Sequence, residues 1–196
     1  TTGNRLFFQR GDTWYGSLVI QGSGTLANPV FIGAYGTGAK PIITGFTLIS
    51  AWDAPVSNVY TSTSSASSLS TCNIASINGV NYSKARLPKT GYYNITATNG
   101  STTITNSNIS TSVISPNNGS QVVVRELMYE LNNHNVTNVS GNTVTFDAGS
   151  IAANWGFILM NDIKMCTQVN EWVYNTSTKK ISVYATSTPT NVQVPT

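Results

Sequence analysis

Charge is what this sequence has least of. Asp, Glu, Lys and Arg make up 9% of its 196 residues, against roughly 25% in an average soluble domain. No basic run is longer than Lys179-Lys180, and the formal charge of +3 is scattered along the chain. Without a basic stripe interleaved with aromatics, nucleic acid is excluded as a partner. Histidine is scarcer still. The one example, His134, lies between Asn133 and Asn135, in a stretch read as an exposed turn. No second His, Cys or acid stands at ligand spacing, so no metal site and no triad base are expected. Two cysteines, Cys72 and Cys166, allow at most one disulfide, which excludes a cysteine-stapled scaffold; both are expected to be unpaired thiols. A run of about 18 apolar residues is also missing, so no membrane-spanning helix is read, and no signal-peptide pattern is read within the sequence.

Polarity comes instead from Ser, Thr and Asn, while hydrophobic content is an ordinary 40%. That balance suits an all-β extracellular protein, in which hydroxyl and amide side chains fill turns and solvent faces. The stretch from Arg10 to Gly45 sets the pattern. Ser17-Leu18-Val19-Ile20, Val30-Phe31-Ile32 and Ile42-Ile43 are short apolar runs between clusters of Gly, Ser, Asn and Pro, too short for helices and spaced as strands. Strands apolar on both faces, turned by glycine corners and lacking crossover helices, predict a parallel β-helix.

The same residues carry a resemblance. Gly11-Asp12-Thr13, Gly22-Ser23-Gly24-Thr25, Asn28-Pro29-Val30, Gly33-Ala34-Tyr35-Gly36 and Pro41-Ile42-Ile43 look like the opening rungs of secreted bacterial right-handed parallel β-helix proteins, similar to β-helix polysaccharide lyases and glycoside hydrolases. The resemblance implies an all-β chain with three parts: first rungs over 1–50, an inserted antiparallel β-rich subdomain over 51–185, and a return to the β-helix over 186–196. It implies a secreted or cell-surface protein whose partners are a polysaccharide and further rungs, from the same or another chain. The catalytic groups of the resembling enzymes sit on later rungs, so catalytic residues are expected outside this chain. A non-enzymatic adhesin, filament subunit or phage receptor-binding piece would use the same scaffold. The chain opens on Thr1-Thr2-Gly3-Asn4-Arg5-Leu6, already a strand pattern, as though processed or cut from something longer.

Taken in order, Arg10-Gly11-Asp12 is read as a rung corner and not as a receptor ligand. Gly22-Ser23-Gly24-Thr25-Leu26-Ala27 fails as a dinucleotide fingerprint because Asn28-Pro29 and a strand follow it, and Gly36 to Pro41 fails the P-loop spacing. No cofactor is expected. The Ser/Thr/Ala run from Thr61 to Thr71 reads as a solvated loop. Asn78-Gly79 between strand residues predicts a hairpin, as does Ser140-Gly141-Asn142. Gln121 to Asn133 is read as a strand, since Val122-Val123-Val124 is β-branched. Segments 155–162, 170–175 and 180–184 read as closing strands of the insertion, and Val192-Gln193-Val194 as the next rung. The eight Asn-x-Ser/Thr triplets are what an Asn- and Ser-rich sequence makes by chance.

For chemistry, a glycosidase needs two carboxylates and a lyase needs a base beside a cation that neutralises a uronate. Most of the seven acids of the chain have structural roles open to them. The candidate substrate-binding set is Tyr82, Lys84, Arg86, Tyr92 and Tyr93, clustered around one hairpin, with rings to stack on a pyranose and cations for its hydroxyls or carboxylates. Alternate members of that set filling a core is the competing reading. The four tryptophans are expected in the core.

Overall fold

A computed structural model describes residues 4–116, 118–147 and 149–195; the expected strand start at Thr1 to Gly3 lies outside them. The chain is all-β, with one 3₁₀ turn, Ile163–Met165, among the described residues. Its sheets are mostly antiparallel. It divides into two compact units, 1–47 and 48–195.

In the first unit Arg5–Gln9 pairs in parallel with Phe31–Tyr35, and Thr13–Tyr15 with Ile42–Thr44. Arg10-Gly11-Asp12 is the corner between the two pairs: Gly11, at φ +89°, donates its N–H to the Ala39 carbonyl, and the Asp12 carbonyl accepts from Ile42. Only glycine takes that φ without strain. Ser17 to Ile20 is not a strand, contrary to its composition. A strand needs a ladder partner, and among the described residues none runs beside it; Val19 and Ile20 stand 72% and 56% exposed. None of the described residues of this unit is buried.

The second unit holds the core. Its main sheet runs Tyr93–Asn94, Gly156–Met160, Gln121–Leu127, Glu130–Ser140, Thr143–Phe146, Thr103–Thr105, Ala97–Thr98, with Arg86–Leu87 also on Gly156–Met160. The β-branched run at 122–124 does form a strand, and alternation shows why it sits centrally: Val122 and Val124 are fully buried while Val123 and Arg125 turn outward. The strand ends in a two-residue turn, Met128-Tyr129, and the chain returns as Glu130–Ser140. His134 therefore lies inside a strand and is 8% exposed, which corrects the expected exposed turn. The Asn78-Gly79 hairpin is present, with both residues at positive φ.

Two further readings are refined. The Thr61–Thr71 run is mostly exposed, as its composition suggests, but it is anchored: Ser62, Ala66 and Ser67 are buried, and Ile181 N–H donates to Ser62 Oγ at 3.2 Å. Small side chains let backbone approach backbone there, and the hydroxyls find backbone partners. Val192–Pro195 pairs antiparallel with Ala75–Ile77 inside the second unit, with Val192 and Val194 fully buried. Its alternating valines suit an antiparallel partner as well as they would a rung.

Two buried clusters result. One centres on Val122, Val124, Leu159, Phe157 and Ile104 and includes Cys166; the other centres on Trp172, Tyr174, Ile181 and Val192 and includes Cys72. Both thiols are free and buried, and burial, with the Glu171 charge, pushes Cys166 up to about 12. Trp172 is a core residue as expected, whereas Trp14 is 46% exposed.

Asp162 ties this unit's loops together. Its carboxylate, 4% exposed, accepts from Ser115 N–H at 2.8 Å, from the Ser115 and Ser120 hydroxyls at 3.0 Å, and from Lys164 N–H at 3.0 Å. Asp162→Ala removes the acceptor those donors share, and the expected cost is about 3 kcal/mol, read as a lower urea midpoint. Asp162→Asn should cost less. Equal midpoints for Asp162→Ala and the native chain would contradict this role.

Candidate functional site

The outward face of the central hairpin forms a groove of about 410 Å³. Val123 and Arg125 project into it from Gln121–Leu127, Met128 and Tyr129 from the turn, Trp155 from the segment entering Gly156–Met160, and Tyr92 from across that strand. Gly156 makes room for Tyr92: a Cβ there would meet the Tyr92 ring at 2.7 Å. The tyrosine ring thus lies on bare backbone while staying 65% exposed. Tyr129 is 96% exposed, and Trp155 is half-buried with the Arg125 guanidinium 5.7 Å from its ring centroid.

Arg125 donates from Nη2 to the Met128 carbonyl at 2.5 Å and, more weakly, from Nε to the Leu127 carbonyl at 3.4 Å. Its planar fork has more donors than that. The ion pairs among the described residues join Lys89 to Glu171, His134 to Glu126 and Asp147, and Lys180 to Asp53; Arg125 has no carboxylate partner in that set. Glu130 and Asn154 complete the polar rim. Exposed ring faces, free guanidinium donors and a side-chain amide are the groups that bind a sugar, rings on its C–H face and donors on its hydroxyls. A larger cavity of about 890 Å³ lies near Asp53, Asn58 and Lys164, with one ring, Tyr184, whose hydroxyl already accepts from Asn58 at 3.3 Å.

Of the residues expected to bind substrate, Tyr92 lines the groove. Tyr93 packs on Phe157 at 5.7 Å against the core. Tyr82 gives its backbone carbonyl to Trp172 Nε1 at 2.6 Å. Lys84 is 8% exposed, donates to Asn73 Oδ1 at 3.0 Å and lies 5.6 Å from the Trp172 ring; burial lowers its pKa. Arg86 donates to the Pro88 and Gly91 carbonyls and so clamps the turn between Arg86–Leu87 and Tyr93–Asn94. Lys84 and Arg86 are thus occupied within the fold. Sequence reasoning missed Arg125, Tyr129 and Trp155, which come from segments far from Tyr92; the exposed triplet Leu127-Met128-Tyr129 next to Arg125 was the signal available.

Behind the groove sits the histidine. His134 Nε2 is 2.9 Å from Glu126 Oε1, and Nδ1 is 3.0 Å from Asp147 Oδ1. Its ring packs on Phe146 at 5.0 Å. Glu126 also accepts from Asn132 Nδ2 at 2.6 Å and from Ser150 N–H at 3.1 Å. Burial would raise the Glu126 carboxyl, but these hydrogen bonds and the attraction to His134 outweigh it and hold the carboxyl below its ordinary value of 4.5. No group of three or more His, Cys, Asp or Glu arranged to hold a metal ion is found among the described residues.

Comparison with known proteins places the chain at the level of fold. No family model matches the sequence, and no curated protein matches it. A solved structure named "Glycoside hydrolase" superposes with a TM-score of 0.70 at 14% identity, over 98% of this chain and 38% of that one. The chain thus shares its all-β fold with a little over a third of a longer protein. No helix among the described residues is long and apolar enough to cross a membrane.

A carboxyl whose folded pKa is depressed adds stability above its unfolded value and loses it as pH falls through the folded one. Glu126 should therefore support the fold fully above pH 4.5 and progressively less below. Urea midpoints of the native chain and Glu126→Gln, compared at neutral pH and well below 4.5, test this: the gap between them should narrow in acid. A gap that widens in acid would reverse the sign.

Proposed function

We propose that this chain is the opening part of a secreted or cell-surface carbohydrate-binding protein built on a right-handed parallel β-helix, and that the Tyr92–Trp155–Tyr129 groove is where its second unit holds sugar. The observation that carries the reading is the groove itself: three accessible rings around an arginine with no carboxylate partner among the described residues. The solved structure named glycoside hydrolase supports the carbohydrate class. Binding, not hydrolysis, is what the groove offers, because Glu130 is its one carboxylate among the described residues and hydrolysis uses two. Hydrolysis or elimination by the whole protein would draw on later rungs.

The β-helix part of the reading is supported by the two parallel strand pairs and the glycine corner at Gly11. Two rungs leave their apolar side chains uncovered, and stacked repeats are what cover them. Further rungs of the same or another chain would do so. The chain alone should therefore bind an apolar fluorescent dye through Phe7, Trp14, Phe31 and Ile42, all 43% exposed or more. Absence of dye binding would count against further rungs as the cover.

Sugar binding is tested by calorimetric titration with neutral and uronic-acid oligosaccharides. Trp155→Ala and Tyr129→Ala should each weaken binding about three- to tenfold, the scale of one lost ring contact. Failure of every oligosaccharide to bind, or binding indifferent to both substitutions, would remove this assignment.

A further inference from the structure

We propose that His134, which does not line the groove, is the positioning residue that sets its shape. The inference rests on the carbohydrate reading only for what the groove holds. It starts from an irregularity in the central hairpin. Along Gln121–Leu127 the register runs evenly to Arg125↔Leu131 and then resumes at Leu127↔Glu130, leaving Glu126 without a cross-strand partner. Such a bulge re-aims side chains. Arg125 lines the groove while Glu126 reaches back to the histidine. The turn residues Met128 and Tyr129 follow directly, so the direction of the bulge decides where Arg125 and Tyr129 stand.

Glu126 alone does not hold that direction. Its partners come from two other segments: His134 and Asn132 on the returning strand, and Ser150 N–H on the loop after Asp147. Asp147 closes the far side, accepting from Asn135 N–H at 3.1 Å as well as facing His134 Nδ1. Glu130 is the other charged group nearby, reaching the same Asn132 amide at 2.9 Å. Among the described residues no lysine or arginine bonds either carboxylate. A carboxylate brings no hydrogen of its own, so the two contacts to the ring need two hydrogens among three groups. The histidine is the one side chain here that can offer a hydrogen on each side. Gly149 shows how closely the loop is fitted: a Cβ there would fall 2.1 Å from Glu126 Oε1 and 3.2 Å from the His134 ring.

The experiment reads the hinge and the groove separately. In amide spectra of the unliganded protein, His134→Gln, which offers hydrogens on one side only, should shift residues 125–131 while leaving the distant Trp172–Tyr174 strand in place. Oligosaccharide binding should weaken about tenfold, as for one lost bond to a charged group. A merely structural cluster would not impose a pH profile on the groove. Native binding should decline as pH falls below 4.5, where Glu126 takes up its proton, and Glu126→Gln should lack that acid limb. Should His134→Gln fail to fold, Gly149→Ala keeps every charge, displaces the cluster, and should produce the same shifts at residues 125–131. Unchanged resonances there in whichever variant folds, or an acid limb that persists in Glu126→Gln, would overturn the inference. If no oligosaccharide binds the native protein, the carbohydrate reading falls, and the amide shifts still decide the role of His134.

Discussion

A chain with so few acids that nevertheless takes three of them out of water has to supply each with hydrogen-bond donors, and that requirement shapes its loops. Asp162 gathers Ser115, Ser120 and Lys164. Glu171 accepts from Lys89 Nζ at 2.7 Å and from the Thr167 and Gln168 N–H groups at 2.9 Å. Glu126 gathers His134, Asn132 and Ser150. A buried carboxylate lacking such partners would cost several kcal/mol, so each acid fixes the path of the segments that serve it. The antiparallel ladders supply the strands, and these three knots decide how the long irregular connections between them lie.

The groove follows from the third knot. It is built on a hairpin whose inward face belongs to the valine core and whose outward face carries Val123, Arg125 and the turn. Its rings are spread over three segments that only the sheet order brings together, Tyr92 and Trp155 beside Gly156–Met160 and Tyr129 at the hairpin turn. Its rigidity is that of the sheet at Tyr92 and Trp155, and that of the bulge at Arg125 and Tyr129.

The legible parts of the sequence were those where local chemistry decides. Asn78-Gly79 declares its hairpin because both residues accept positive φ, and Val122-Val123-Val124 declares a strand because β-branched side chains suit a pleated surface. The Met128-Tyr129 turn has no such residue, so the hairpin around it read as one strand and His134 was taken for its exposed end. The Ser/Thr/Ala run after Thr61 is largely exposed as its composition declares, but its buried anchors Ser62, Ala66 and Ser67 were not legible, because solvation and close backbone packing favour the same small residues. Val192 to Val194 shows a related ambiguity: alternating valines state that one face of a strand is buried, not which strand lies beside it. Tyr92 was found from its neighbours in sequence, but the partners that give it a groove are set by strand order, which no local pattern encodes.

Cys72 and Cys166 lie in different buried clusters, the first with Trp172 and the second with Leu159. Each thiol is shut in by its own set of side chains, so they are not positioned to cross-link, and neither cluster depends on an oxidised sulfur. Assembly of the second unit is accordingly indifferent to redox potential. The same molecule should emerge from a reducing cytoplasm as from an oxidising exterior, with no isomerase needed to sort its sulfurs.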